Sequence, residues 1–112
     1  MTKVECIIRP GKLEAVKKAI SRYGIYGMTV TQVMGCGLQQ GHTEVYRGTE
    51  YSINLLPKIK IEMVVKDRDV DNIVRVVCAA AKTGEIGDGK IFTHKIDNAI
   101  RIRTGESGEA AI

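Results

Sequence analysis

The chain has 112 residues, 44% of them hydrophobic but only 4% aromatic, with no Trp. This is enough for one domain with a modest aliphatic core, and too little for two. Seventeen Lys and Arg against thirteen Asp and Glu leave a net charge of +4. The cations are scattered, which excludes the basic stripe of a nucleic-acid binder.

Val4, Cys6 and Ile8 alternate with Lys3, Glu5, Ile7 and Arg9, the pattern of a strand, which Pro10-Gly11 closes. Leu13, Val16, Ala19, Ile20 and Tyr23 then follow helical spacing, and Gly24 is placed to stop that helix. Met28 to Met34 reads as a second strand, rich in β-branched residues. A long polar excursion follows, including GHTEVYRGTEY (Gly41–Tyr51), whose one aliphatic residue is Val45. Ile59, Ile61, Met63 and Val65 share one face of a long strand. Asp69 is the expected N-cap of a helix that buries Val70, Ile73, Val74, Val77, Cys78 and Ala81. Lys90–Ile96 and Ala99–Arg103 are expected to close the chain as short strands.

The order predicts an α+β fold, the ferredoxin-like βαββαβ arrangement, with an antiparallel sheet and both helices on one face. A fold of this kind does not name a function. An RNA-recognition module needs aromatic residues on its central strands, and KIKIEMVV has none. Cys6, Cys36 and Cys78 are odd in number and lack CxxC spacing, so neither a disulfide framework nor a zinc site is predicted. Cys6 and Cys78 are expected as buried core thiols. His42 and His94 lack partners at ligand spacing. No nucleophile or base has a legible partner, so the chain reads as a binding or regulatory module and not an enzyme. It shows no signal peptide and no apolar run of membrane-spanning length, which predicts a cytoplasmic protein.

Two features point to an anionic ligand. In TGEIGDGK (Thr83–Lys90) three glycines within six residues can turn backbone N–H groups toward one anion, with Lys90 at the end. A helix C-cap followed by a tight turn explains Gly84 and Gly87 equally well. In IRIRTG, Arg101 and Arg103 are expected to project from one face of a strand, with Ile100 and Ile102 turned into the core. Like charges held in parallel suit a polyphosphate, whereas a solvated strand face is the plain alternative.

YRGTEY, TGEIGDGKIF and IRIRTGE, in this order and spacing, resemble the PII nitrogen-regulatory signal-transduction proteins, and IIRPGKLEAV and GMTV fit as well. The similarity runs from Met1 to Ile112 as a single PII-type domain. GHTEVYRG, Asn54, LLPKIKI and the ending EAAI are most similar to the paralogue that binds the ammonium channel. The resemblance implies a homotrimer with nucleotide sites in the clefts between subunits. There ATP and ADP compete, and 2-oxoglutarate binds beside MgATP. It assigns nucleotide contacts to Ile7, Gly27, Met28, Thr29, Gly35, Gly37, Leu38, Gln39 and Val64. To these it adds Thr83, Gly87, Asp88, Gly89, Lys90, Arg101 and Arg103. It gives 2-oxoglutarate to Gln39, Gln40, Gly41 and Lys58, and Mg²⁺ to Gln39 with the ATP phosphates.

The resemblance also makes the polar excursion a T-loop, about Gly37 to Leu55, and leaves 104–112 as a C-terminal tail. A loop this long and polar is expected to be mobile alone and ordered by a ligand or partner. Tyr46, Arg47 and Tyr51 would meet the partner, and Tyr51 matches a tyrosine that a nucleotidyltransferase modifies. The partner implied is the ammonium transporter at the inner membrane face, where the protein would be peripheral. The alternative is control of soluble nitrogen-assimilation enzymes or transcriptional regulators, with ATP and ADP as the main signals. One departure matters: many members read GFGRQKG where this chain reads GCGLQQG. Leu38 and Gln40 thus remove two cations from the loop base, which implies weaker triphosphate binding.

Overall fold

The computed structural model describes residues 1–37 and 55–112 in full, and in between the backbone of two short strands. Strict alternation makes β1 (Thr2–Ile8), in which every second residue is buried, beginning with Thr2. A short 3₁₀ turn at Pro10–Lys12 leads into α1 (Leu13–Tyr23). Gly24 ends α1 in the left-handed region at φ 109°, where its N–H reaches the carbonyls of Ile20 and Ser21. β2 (Thr29–Gly35) follows, then β3 (Thr43–Tyr46) and β4 (Thr49–Ser52), which pair only with each other. The long β5 (Leu56–Val65), α2 (Val70–Ala81) and β6 (Gly89–Lys95) complete the framework.

The main sheet has the order β2-β5-β1-β6 and is antiparallel throughout. β1 holds the centre: Cys6 faces Ile61 of β5 on one side and Ile91 of β6 on the other. One face of this sheet carries Val4, Cys6, Ile8, Ile59, Ile61, Met63 and Val65, and both helices cover it. Val16 and Ile20 of α1, with Ile73, Val77 and Ala81 of α2, close that single core. This is the ferredoxin-like fold expected from the element order. Among the described residues no helix is long and apolar enough to cross a membrane.

Three local expectations fail. Cys6 is fully buried, and burial pushes its thiol up to about 12, but Cys78 is exposed on α2. The apolar stripe of α2 is narrower than the spacing implied, with Ile73, Val77 and Ala81 carrying it. Asp69 does not cap α2 with its side chain. A 3₁₀ turn at Asp67–Asp69 runs straight into the helix, so the Val70 N–H already finds the Asp67 carbonyl. The Asp69 carboxylate is left to accept a 2.9 Å hydrogen bond from Tyr23 Oη, which ties the two helices together.

Finally, Ala99–Arg103 is not a strand. Only Ile100 makes an isolated bridge, to Ser107. The tail folds back on itself instead, with Arg101 N–H donating to the Glu106 carbonyl at 2.8 Å and Gly105 N–H to the Arg101 carbonyl at 2.8 Å. Ile100 (66% exposed) and Ile102 (100%) therefore face outward rather than into the core. The sheet offers this segment no neighbouring strand within one chain.

The centre of the core is the least tolerant place in the molecule. Ile61→Ala, at a fully buried position on β5, is expected to lower the unfolding free energy by about 2–5 kcal/mol. Urea denaturation followed by circular dichroism measures this; a loss well under 1 kcal/mol would mean that the core does not converge on Ile61.

Candidate anion site beside the Thr83–Lys90 loop

Alternation puts Lys58, Lys60, Glu62 and Val64 on the face of β5 that the helices leave uncovered. Register brings Val33 beside Lys58, Ile7 beside Lys60 and Lys90, and Thr29 beside Glu62. Along the middle of this face Lys60 lies 3.8 Å from both Glu5 and Glu62, and Lys3 lies 3.7 Å from Glu62. Lys58 stands outside that ladder, at the end next to the Thr83–Lys90 loop, where its ammonium donates to the Gly87 carbonyl at 2.7 Å. Partial burial, then repulsion from Arg9, lowers the pKa of Lys58.

The loop is built around Asp88. Its carboxylate accepts hydrogen bonds from the N–H groups of Thr83 (2.8 Å) and Gly84 (2.9 Å) and from the Thr83 hydroxyl. From the end of β1, Arg9 Nε reaches the same carboxylate at 3.0 Å, and Arg9 Nη2 reaches the Ile86 carbonyl at 2.9 Å. The bonds from Thr83, side chain first, hold the Asp88 carboxyl well below the usual carboxylate range. The loop thus uses an anion of its own to satisfy Thr83 and Gly84, which the bare glycine pattern did not reveal. The N–H groups of Ile86 and Gly87 have no acceptor among the described residues.

At Gly89 the chain turns into β6 at φ 104°, and a Cβ there would lie 1.7 Å from the Ile7 carbonyl oxygen. Only glycine fits. The result is a cavity of about 470 Å³ walled by Ile7, Gly35, Gly37, Lys58, Gly87, Gly89 and Lys90. Cys36, Leu56, Ile86 and Phe92 complete its lining. Seven of the residues expected to contact ligand are therefore brought together.

Other described candidates lie elsewhere. Gly27, Val64 and Arg101 line a second cavity, of about 690 Å³, with Tyr26, Lys66, Arg68 and the tail residues Ala111 and Ile112. From Lys58 to Val64 the strand rises about 20 Å, so the two cavities sit at opposite ends of β5. Met28 is half-buried against the core and Thr29 is exposed nearby. Arg101 and Arg103 are not parallel cations on a strand, because the tail turns between them and Ser107. Arg101 Nη1 pairs with Glu106 Oε1 at 3.0 Å, while Arg103 is exposed and makes no ion pair among the described residues. Leu38, Gln39, Gln40, Gly41 and Arg47 lie outside the described residues, as do the side chains of Tyr46 and Tyr51 and the expected mobility of their loop. The backbone register does set Tyr51 opposite Glu44 and Tyr46 opposite Thr49.

Arg9 is the residue that sequence reading missed. Its signal was there, a cation just beyond the strand end that pairs with the loop's acid, but it needs the β1–β6 register to be read. Among the described residues no three His, Cys, Asp or Glu side chains cluster to hold a metal. Gln39, the expected magnesium donor, lies outside the described residues.

Because the Asp88 carboxyl is held low, its clasp contributes fully above the unfolded value near 4, and that contribution shrinks as pH falls from there and is lost through the lower folded value. At neutral pH, Asp88→Asn should speed amide hydrogen exchange at Thr83 and Gly84 by about tenfold. The gap between variant and wild type should narrow as pH falls below about 4. Unchanged exchange in the variant would show that the loop closes without its carboxylate.

The family model for nitrogen regulatory protein P-II matches residues 1–106. The nitrogen regulatory protein P-II of Rhizobium etli is 55% identical over 109 residues, covering 97% of each chain. The nitrogen regulatory protein GlnK of Escherichia coli K12 is 54% identical over 112 residues, the whole of both chains. Among solved structures, Arabidopsis thaliana PII bound to citrate superposes with a TM-score of 0.81 at 39% identity, over 99% of this chain and 91% of that one. With a regulatory family matched over nearly its whole length and the fold shared with a solved member, the chain belongs to the P-II nitrogen regulatory proteins, which are signal transducers and not enzymes.

Proposed function

We propose that this protein is a cytoplasmic homotrimer that reads ATP against ADP, together with 2-oxoglutarate, and relays the result to the ammonium transporter through the loop 37–55. The observation that carries this reading is the split of the expected nucleotide residues between two cavities at opposite ends of β5. Neither half is a complete site. Ile7, Gly35, Gly37, Gly87, Gly89 and Lys90 of one subunit would face Gly27, Met28, Thr29, Val64, Arg101 and Arg103 of the next. Ile86, Ile100 and Ile102 are 64%, 66% and 100% exposed in the isolated chain, which favours a surface that a second copy covers.

In this reading Lys90 and the N–H groups of Ile86 and Gly87 meet phosphate. Thr83 and Asp88 act from behind, by holding the loop in shape. Lys58 receives a carboxylate of 2-oxoglutarate, exchanging the Gly87 carbonyl for a full anion, with Gln39, Gln40 and Gly41 completing that subsite. A dianion beside a triphosphate is repelled strongly; magnesium held by Gln39 and the phosphates offsets that repulsion when bound. Reciprocal linkage then makes 2-oxoglutarate and MgATP strengthen each other's binding by one common factor.

Arg47 and Tyr46 at the loop tip would enter the transporter's inner face, and a nucleotidyl group on Tyr51 would obstruct this. The lost cations at Leu38 and Gln40 favour a second reading, in which the protein senses mainly ATP and ADP and acts on soluble nitrogen-assimilation enzymes or transcriptional regulators. Calorimetric titration of 2-oxoglutarate decides between them. Binding only with MgATP present is expected, with ATP bound several-fold tighter by Leu38→Arg than by wild type. Nucleotide binding with no 2-oxoglutarate response leaves the second reading; no nucleotide binding at all refutes both.

Assembly has its own test. Ile102→Asp removes nothing from the core of one chain, so it should leave the helical circular dichroism unchanged while shifting the mass by light scattering from trimer to monomer. A monomeric wild type, or a trimer indifferent to the substitution, would count against an interface at Ile102.

A further inference from the structure

Arg101 is already occupied. Its guanidinium holds the Glu106 carboxylate at 3.0 Å, in a pair that is about 40% exposed on both sides (39% and 44%). The turn that carries Glu106 does not need this pair. Two backbone hydrogen bonds close it, Arg101 N–H to the Glu106 carbonyl and Gly105 N–H to the Arg101 carbonyl. Asn98 Oδ1 and the Ala99 carbonyl hold Gly108 beyond it. The Thr104 hydroxyl donates to Glu106 Oε1 at 2.8 Å, which aims the carboxylate at the arginine. Arg101 also lines the cavity of about 690 Å³, together with Lys66, Arg68 and Asp69. Arg103, two residues on, makes no ion pair among the described residues.

We propose that Glu106 is an internal competitor for the phosphate site: its carboxylate occupies Arg101 until a polyphosphate displaces it. An exposed ion pair of this kind is weak, whereas a di- or triphosphate brings more charge and a bidentate partner for guanidinium. Arg103 takes the first contact, Arg101 exchanges its carboxylate for phosphate, and Glu106 is released while the backbone turn stays closed. The tail then reports occupancy of the cavity through the freed carboxylate. This inference rests on the nucleotide reading above.

Glu106→Gln keeps an oxygen for the Thr104 hydroxyl and removes only the charge. Titrating ADP into the full chain at low salt, this variant should bind about two- to fivefold tighter than wild type, with adenosine unchanged. In an Arg101→Ala background the gain should vanish, since the coupling runs through that arginine. Equal or weaker ADP binding by Glu106→Gln overturns the proposal. If wild type binds no nucleotide, the functional reading fails first, and tripolyphosphate becomes the probe. The Arg101 Nε–Hε resonance must then shift at a lower tripolyphosphate concentration in Glu106→Gln than in wild type. Coincident titrations sink the competition outright.

Discussion

The approach of Gly89 to the Ile7 carbonyl governs the candidate site. With no Cβ to separate them, β6 can start directly against the end of β1, at the Ile8–Gly89 pair. That start fixes Asp88 within reach of Arg9, just past the end of β1, and brings the loop behind it over Lys58. Any side chain at Gly89 would push the strand away from a backbone atom that cannot move aside. The cavity wall, the acid clasp and the position of Lys90 all follow from one missing methyl group.

Charge is organised on the same scale. On the uncovered sheet face, Lys3, Glu5, Lys60 and Glu62 neutralise one another in the middle of the strands. Lys58 and Lys90 stand outside that ladder, at the end where the cavity opens. Arg9 is cancelled by Asp88 and spends its reach on the loop. Lys90, on the cavity wall, makes no ion pair among the described residues. Exposed pairs of this type add little to stability; their effect is to decide where an anion is attracted.

The framework was legible because it rests on periodicity. Val4, Cys6 and Ile8, the odd residues from Ile59 to Val65, and the helical stripe ending in Gly24 all lie where alternation and spacing put them. What misled were residues whose pattern fits two environments. Cys78 has helical spacing but falls at the edge of the buried stripe, and Asp69 has capping chemistry but sits inside a 3₁₀ turn. Ile100 and Ile102 alternate like a strand, yet no strand lies beside them in the chain. Much of the site was legible as composition, glycines with a terminal lysine, but its logic was not. Arg9 and Glu106 act across the fold or across a turn, so their partners appear only once register and tail are known.

The Asp88 clasp has a consequence for rates. Its bonds to Thr83, Gly84 and Arg9 form when the chain folds, so the conformational entropy of that loop is lost then and not at binding. A ligand entering the cavity meets this wall already in place and loses no time to its rearrangement. On this side, association of an anion would be limited by encounter, which the charge of Lys90 would accelerate and added salt would slow. Differences in affinity among ligands that share this wall would then appear mainly in how slowly each one leaves.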